Sequence, residues 1–208
     1  MKIYLEAVPP ATQAILERLK NTPQLKEFYL SGGTALSLLL GHRESEDLDF
    51  FIKTDFQPLV LQEQLVHVGK LENVQIETGT LNLYIEGVKL QFLHYPYTLL
   101  EEVIPWNDIY LSSMIDIACT KLITISMRGS KKDFIDLYFI LQHYPLQELF
   151  KKLDKKYTGV EYNHAHILKS LVYFEDADGQ PMPRMHMHVA WETVKENIIK
   201  EVKNYSFD

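Results

Sequence analysis

The spacing of hydrophobic and polar residues changes about halfway along the chain. Residues 81–85 and 88–92 alternate between apolar and polar side chains, which is the pattern of half-buried β-strands. The dipeptide Glu86-Gly87 between them predicts a two-residue hairpin turn, because glycine readily adopts the positive φ that such turns need. From about residue 112 onward the apolar residues recur at helical spacing instead. The chain is therefore predicted to be α+β, with a mixed or antiparallel sheet and helices first and a helical half after them.

Shorter patterns predict the other elements of the first half. Ile15 and Leu19 lie one turn apart in a predicted helix over residues 10–20. A predicted helix over residues 34–40 is followed by Gly41, a residue type that commonly ends helices. Further strands are predicted over 28–30, 48–52 and 74–77, and a further helix over 59–69.

Four apolar segments predict the helices of the second half: SSMIDIACTKLITISMRG, SKKDFIDLYFILQHYP, HILKSLVYF and AWETVKENIIKEVKNY. In the first segment, Ser113 and Asp116 have the spacing of a capping box, in which a hydroxyl and an acidic side chain satisfy backbone N–H groups at the start of a helix. Ser130 and Asp133 have the same spacing at the start of the second segment.

Length and composition are those of an ordinary globular protein. The 208 residues are 46% hydrophobic and 24% charged, which is enough for a substantial core. A stretch rich in proline and aromatic residues, HYPYTLLEEVIPWN, predicts a connector before the helical half. We therefore expect an α/β core over residues 1–105 and a helical region over residues 106–208.

Charge, cysteine content and the length of the apolar runs limit the compartments and binding partners that we expect for the protein. The apolar runs are too short for a transmembrane helix, and no secretory signal is visible at the N-terminus. The single cysteine, Cys119, fits a reducing compartment, so we expect a cytoplasmic protein without membrane contact. The formal net charge of −7 argues against broad, non-specific binding of nucleic acid. The one dense basic run, KKLDKK at residues 151–156, is either a solvated helix end or a local patch for RNA.

Asp47 and Asp49 are the first candidate chemical groups. They stand two residues apart at a predicted strand, so their side chains point to one face while Leu48 and Phe50 point into the core. Two carboxylates held close together repel each other unless a cation lies between them. Mg²⁺ is the expected ion, since it binds one or two carboxylates together with water and phosphate oxygens.

A glycine pair lies just ahead of this strand. Gly32-Gly33, immediately before a predicted helix, lets phosphate oxygens approach bare backbone N–H groups, and the helix N-terminus adds positive potential. Ser31 or Thr34 offers a hydroxyl at the same place. Taken singly, a glycine pair is usually a turn and an Asp-x-Asp sequence is usually a solvated strand or loop. The combination, with one helix between the two, favours a site for Mg²⁺ and a nucleoside triphosphate.

The segment GGTALSLLLGHRESEDLDFF resembles the opening motif of the AbiEii/AbiGii-type toxin nucleotidyltransferases of the DNA polymerase β-like superfamily. That motif is a Gly-Gly or Gly-Ser pair, a short helix, and Asp-x-Asp or Asp-x-Glu on the next strand. The segment KLITISMRGSKKDFIDLYFIL resembles later motifs of the family, a lysine on one helix and Asp-x-x-Asp on the next. SLVYFEDAD, with Trp191 beyond it, resembles the C-terminal region. The resemblance extends from about residue 28 to 195.

The resemblance implies a polymerase β-like fold and a Mg²⁺-dependent transfer of a nucleotidyl group from an NTP. The acceptor would be a hydroxyl of RNA, tRNA included, or of a protein, and a cognate antitoxin would be a partner. Motif matching assigns triphosphate binding to Gly32 and Gly33, and catalytic metal binding to Asp47 and Asp49.

The same resemblance assigns roles in the helical half. It places Lys121 in a cleft against a phosphate or base, whereas the sequence alone favours a lysine that extends to the surface. Arg128 is either a second phosphate contact or a favourable positive charge at a helix C-terminus. The resemblance implies that Asp133 and Asp136 support the catalytic site. A capping box also explains Asp133, but not Asp136.

Two positions leave alternatives open. Arg43 either binds triphosphate bidentately or pairs with a neighbouring acidic residue. Members of the superfamily usually carry a third carboxylate on a neighbouring strand, but here Gln91 stands at that place, and an amide cannot accept a proton. Glu77 and Glu86 remain as substitutes. A catalytically weak or inactive module that binds nucleotide or a partner is therefore the alternative to an active transferase.

Overall fold

The computed structural model describes residues 2–207. They divide into two compact units, one made of residues up to 98 with residues 102–113, and one made of residues 99–101 with residues from 114 onward. The boundary expected between residues 105 and 106 falls inside a β-hairpin. Because the second strand of that hairpin pairs with the first strand of the sheet, the hairpin belongs to the first unit.

The first unit is built on a mixed sheet. Its strands are β1 Tyr29–Ser31, β2 Leu48–Ile52, β3 Leu71–Glu77, β4 Thr80–Ile85, β5 Val88–His94, β6 Ile104–Trp106 and β7 Ile109–Leu111. Its helices are α1 Pro10–Leu19, α2 Gly32–Leu40 and α3 Pro58–Leu65. The strand order is β3-β4-β5-β2-β1-β7-β6. The pairs β2–β5 and β1–β7 are parallel and the other neighbouring pairs are antiparallel, so the sheet is mixed.

Alternation along β4 and β5 gives the sheet one apolar face. Leu48 and Phe50 of β2 are fully buried, as are Leu83 of β4 and Leu90 of β5. The predicted hairpin turn is confirmed, with positive φ at both Glu86 and Gly87. The residues between the buried ones are half-buried and lie on the opposite face. That opposite face carries the candidate site.

The second unit is helical. Its helices are α4 Met114–Met127, α5 Lys131–Leu141, α6 Leu146–Lys156, α7 His164–Leu171, α8 Glu175–Asp178 and α9 Trp191–Asn204. The four helices predicted from sequence are confirmed as α4, α5, α7 and α9, whereas α6 and α8 were not predicted. Phe134 of α5 packs against the rings of Phe174 and Trp191 in the core of this unit. Within residues 2–207, no helix is both long enough and apolar enough to cross a lipid bilayer.

Candidate active site

The glycine turn between β1 and α2 packs directly against Asp49. Gly32 has a φ of +65°, and a Cβ built on it would lie only 2.5 Å from Asp49 Oδ2. Ser31 stands opposite Asp49 in the antiparallel pairing of β1 with β2. Gly32 is therefore required twice, once for its backbone conformation and once for the approach of the carboxylate. The structure brings the predicted phosphate turn and a predicted metal ligand into contact.

Arg43 lies against the second glycine of the turn. A Cβ on Gly33 would lie 2.6 Å from Arg43 Nη2 and 3.2 Å from Ser45 Oγ. Arg43 is only 3% exposed, and its Nη1 donates a hydrogen bond to the carbonyl oxygen of Glu44 at 2.9 Å. A guanidinium stays charged at any physiological pH. Together with the N-terminus of α2, it makes the turn a favourable place for an anion.

Thr34 has a structural contact that sequence reasoning did not foresee. It is 1% exposed, and its hydroxyl is hydrogen-bonded to the carbonyl oxygen of Asp47 and, at 2.9 Å, to the hydroxyl of Ser45. Ser31 is likewise buried. Thr34 ties the first turn of α2 to the segment that carries Asp47, and the contact of either hydroxyl with a phosphate stays a prediction.

The two carboxylates of the Asp-x-Asp sequence fit Mg²⁺ bound together with a substrate. Asp47 and Asp49 are both half-buried and flank the fully buried Leu48, as their alternation predicted. Across residues 2–207, no cluster of three or more His, Cys, Asp or Glu side chains could hold a metal ion. Mg²⁺ commonly takes one or two carboxylates and completes its shell with water and phosphate oxygens, whereas a structural zinc ion needs four protein ligands.

Gln91 stands beside Asp49, on the face away from the core that the alternation of β5 predicted. The two residues are paired in the parallel register of β2 with β5. Neither proposed substitute is next to Asp49 in the sheet. Glu86 lies in the hairpin turn and bonds Arg18 at 2.7 Å, and Glu77 lies on the edge strand β3 opposite Thr80. The strand neighbour of Asp49 on this side is therefore a neutral amide.

In the helical unit, Lys121 of α4 is buried between two carboxylates of α5. Its Nζ lies 2.7 Å from Asp133 Oδ1 and 2.5 Å from Asp136 Oδ2, and both aspartates are fully buried. The expectation from sequence alone that Lys121 extends to the surface is wrong. Arg128, whose side chain is 64% exposed, adds a contact of 3.2 Å from its Nε to Asp133 Oδ2.

The capping box predicted for Ser130 and Asp133 does not form. Ser130 is the N-cap of α5, but its side chain makes no capping hydrogen bond. The carboxylate of Asp133 is bonded to Lys121 and Arg128 instead. Charge-assisted hydrogen bonds are roughly twice as strong as neutral ones, so the buried lysine outcompetes the backbone.

A second buried ion pair was missed by sequence reasoning. Lys156 Nζ lies 2.6 Å from Asp116 Oδ1, and the same carboxylate accepts hydrogen bonds from the backbone N–H groups of Leu100 and Glu101. The basic run that contains Lys156 has exposed lysines only in part, so the interpretation as a solvated helix end fails for its last residue. Burial raises the pKa of the neighbouring Cys119 thiol to about 12.

Comparison with known proteins decides the family. The sequence profile of the family described as "Nucleotidyl transferase AbiEii toxin, Type IV TA system" matches residues 14–82 and 70–208. The chain belongs to the AbiEii family of nucleotidyltransferase toxins. It is also 37% identical, over 196 residues, to an uncharacterized protein of Aquifex aeolicus, covering 91% of this chain and 93% of that protein. The resemblance drawn from the motifs is confirmed, and the chain is a nucleotidyltransferase by family.

Solved structures show the same fold at low sequence identity. MenT4, a nucleotidyltransferase toxin of Mycobacterium tuberculosis, is similar with a TM-score of 0.62 and 20% identity, over 94% of this chain and 82% of that one. JHP933 of Helicobacter pylori is similar with a TM-score of 0.53 and 17% identity, over 94% of this chain and 92% of that one. The predicted α+β fold of the polymerase β-like nucleotidyltransferase type is confirmed.

Proposed function

We propose that this AbiEii-family protein transfers a nucleotidyl group from Mg²⁺-bound NTP to a hydroxyl of an RNA, acting in the cytoplasm as the toxin of a toxin–antitoxin pair. The observation that carries the proposal is the packing of Gly32 against Asp49. It supports the proposal because helix N-termini favour anions and Mg²⁺ favours carboxylates, and here a glycine turn that begins a helix lies beside a carboxylate.

The proposed roles follow from the geometry of the sheet unit. Backbone N–H groups at Gly32 and Gly33, with the charge of Arg43 behind them, bind the triphosphate. Asp47 and Asp49 hold Mg²⁺, which when bound polarises the reacting phosphate and favours ionisation of the attacking hydroxyl. The acceptor oxygen forms a bond to the α-phosphorus, the bond from that phosphorus to the bridging oxygen breaks, and pyrophosphate leaves while the hydroxyl proton passes to solvent.

Residues of the helical unit remain part of the proposal. Lys121 and Asp136 are proposed catalytic residues, and Arg128 and Asp133 are proposed to assist in binding phosphate. Support comes from the motif match and from the two short contacts that fix the ammonium group of Lys121. The side chain of Arg128 is 64% exposed, so its guanidinium is accessible to a phosphate oxygen, while Lys121 remains as the partner of Asp133.

Transfer of label tests the proposal. The purified protein is incubated with Mg²⁺, total tRNA and each of the four α-labelled NTPs in turn, and the products are separated on a denaturing gel. We expect label on RNA with at least one NTP, and loss of that label in Asp49→Asn. The matched control is Asp108→Asn, an exposed residue at positive φ in the β6–β7 turn, where asparagine is well tolerated. Equal labelling by wild type and Asp49→Asn would contradict the proposal.

The neutral Gln91 beside Asp49 favours a second candidate function, in which the protein binds nucleotide but does not catalyse its transfer. Such a protein would bind NTP in a calorimeter, would leave every RNA unlabelled, and would form a stable complex with an antitoxin. The labelling experiment therefore separates the two candidates. Label on a protein rather than on RNA would keep the reaction and change the acceptor.

A further inference from the structure

A row of polar side chains crosses the sheet beside the glycine turn. Pairing in register joins Ser31 to Asp49, Asp49 to Gln91, and Gln91 to Asn82, on the four adjacent strands β1, β2, β5 and β4. Alternation puts these side chains on the face opposite the apolar core. Asp49 is therefore flanked by the glycine turn on one side and by two carboxamides on the other.

The carboxamide of Asn82 carries an unsatisfied atom. Its Oδ1 is shut off from solvent and has no hydrogen-bond partner within residues 2–207. An unpaired buried polar atom costs about 1–3 kcal/mol, so such atoms usually have a role. Asn82 as a whole is half-buried, so rotation about χ2 can turn its carboxamide toward a ligand on this face that donates a hydrogen bond, such as a ribose hydroxyl or the N–H group of a nucleobase.

The next row on the same face adds an aromatic ring and a positive charge. Tyr84 and Lys89 stand directly opposite each other on β4 and β5, two residues from Asn82 and Gln91 respectively, and both are half-buried. Aromatic rings stack on exposed bases, and amides bind base edges and ribose hydroxyls in RNA recognition. Lysine binds backbone phosphate.

We propose that Gln91 and Asn82 bind the terminal nucleoside of an RNA acceptor, while Tyr84 contacts its base and Lys89 contacts the phosphate that precedes it. This inference rests on the proposed transferase function and assigns it an acceptor subsite. Because the triphosphate turn lies on the β1 side of Asp49, the acceptor occupies the β5 side, and its terminal hydroxyl reaches Asp49.

Uncharged amides suit a nucleoside better than a protein acceptor. Each carboxamide both donates and accepts hydrogen bonds, so the pair matches a ribose hydroxyl and a base edge at once. A serine or tyrosine hydroxyl would satisfy only one of the two amides. Since Gln91 cannot take a proton, its role is to position the acceptor hydroxyl.

Two-substrate kinetics test the subsite. Gln91→Met and Asn82→Leu remove the amides at similar size, and Gln62→Met on helix α3 is the matched control. The probes are total tRNA as acceptor and the NTP that labels it. Each amide variant should raise the KM for tRNA about tenfold, which is equivalent to 1.4 kcal/mol. The KM for NTP and the melting temperature should stay at the wild-type values, as should every parameter of the control.

A binding readout accompanies the kinetics. The affinity for fluorescein-labelled tRNA, measured by anisotropy without NTP, should fall about tenfold in both amide variants and not in the control. Asn82→Ser and Gln91→Ser, which retain a small polar group, serve if an apolar substitution fails to fold.

Each other outcome overturns the subsite. An unchanged KM for tRNA with continued labelling removes the subsite and leaves the proposed function intact. A raised KM for NTP assigns the amides to the nucleotide instead, and label on a protein removes the nucleoside acceptor. Absence of label on RNA and protein alike overturns the proposed function together with the subsite.

Discussion

The aspartates of the sheet unit and those of the helical unit differ in burial and in surroundings. In the sheet unit, Asp47 and Asp49 are half-buried, and Asp49 is packed against a glycine turn. In the helical unit, Asp116 and Asp136 are buried and each lies within 2.6 Å of a lysine Nζ. The helical carboxylates are paired with buried lysines, whereas Asp47 and Asp49 keep partial exposure, so a cation from solvent can reach them.

Because of this difference, we expect substitutions of the two sets of aspartates to affect stability and activity to different degrees. Removing one member of a buried ion pair leaves an uncompensated charge and costs about 3–5 kcal/mol. Removing a half-buried carboxylate costs less, because water still solvates part of the group and of its surroundings. We therefore expect substitutions in the sheet unit to affect activity, and substitutions in the helical unit to affect stability first.

The largest effect is expected for Asp49→Ala. Nucleotidyl transfer should fall on the order of a thousandfold, the loss typical of a principal charge-stabilising group. The free energy of unfolding should fall by about 1 kcal/mol, the typical effect of a point substitution, which is well below the cost of breaking a buried ion pair. Labelling kinetics and urea denaturation check the two halves of this expectation. A marked loss of stability with activity retained per folded molecule would reverse the comparison.

Lys121→Met is expected to affect both properties. The substitution leaves the buried Asp133 and Asp136 without their lysine partner, so the protein should lose about 3–5 kcal/mol of stability. Its melting temperature should fall on the order of 10 °C. If Lys121 is also catalytic, transfer per folded molecule should fall as well. Lys156→Met is the matched control, because it breaks the other buried pair and should cost stability alone.

A triple variant separates the structural role of this charge cluster from its proposed catalytic role. Replacing Lys121 by Met with Asp133 and Asp136 by Leu removes the whole buried charge cluster, and such apolar replacements often restore stability. Activity should remain lost while stability returns. Recovery of transfer in the triple variant would show that Lys121 serves only to hold α4 against α5.

Gly32→Ala tests the contact between the turn and Asp49, and its expected effect on activity is smaller than that of Asp49→Ala. The strain at positive φ should cost about 1–2 kcal/mol, and the new methyl group would displace Asp49. A displacement of this size near reacting groups typically costs about a hundredfold in rate. Gly87→Ala is the control, since Gly87 has a φ of +81° with nothing within 4 Å of its Cβ position. Equal activity losses in the two variants would assign the effect to backbone strain.

The smallest effect concerns Cys119 in the helical core. Burial raises the pKa of its thiol to about 12, so at pH 8 the reactive thiolate is nearly absent in the folded protein. A thiol reagent should react far more slowly with the native protein than with the protein unfolded in guanidinium, where the pKa returns to its ordinary value. Equal rates at pH 8 would show that the helical core admits water and ions.

Local patterns predicted much of the sheet unit. Alternation placed Asp47 with Asp49 and put Gln91 on the face away from the core, and the Glu86-Gly87 turn followed from the conformational freedom of glycine. The same alternation places Asn82 on that face, so it could have been noticed from sequence. What it could not show is that Asn82 is paired with Gln91 and so belongs to one row with Asp49, because pairing between strands depends on the whole chain.

The helical unit was less predictable for a related reason. Asp133 has a local explanation as a cap of α5, and Asp116 has one as a cap of α4. Their observed partners, Lys121 and Lys156, come from other helices. Packing brings each lysine into an apolar interior where a carboxylate is the strongest partner, and no local pattern contains that information. The short hairpin β6–β7 was missed in the same way, since its pairing with β1 is distant in sequence.

Binding of Mn²⁺ in place of Mg²⁺ tests the central claim most directly, because the resonance signal of the free ion is lost on binding and the affinity of each variant can be measured. The free ion is titrated by electron paramagnetic resonance in the presence of a non-hydrolysable NTP analogue, with wild type, the double variant Asp47→Asn/Asp49→Asn, and Asp108→Asn as control. The double variant should bind the ion at least about thirtyfold more weakly, and the control should match wild type. Equal affinity in all three proteins would contradict the assignment of Asp47 and Asp49 as the carboxylates that hold the metal beside the glycine turn.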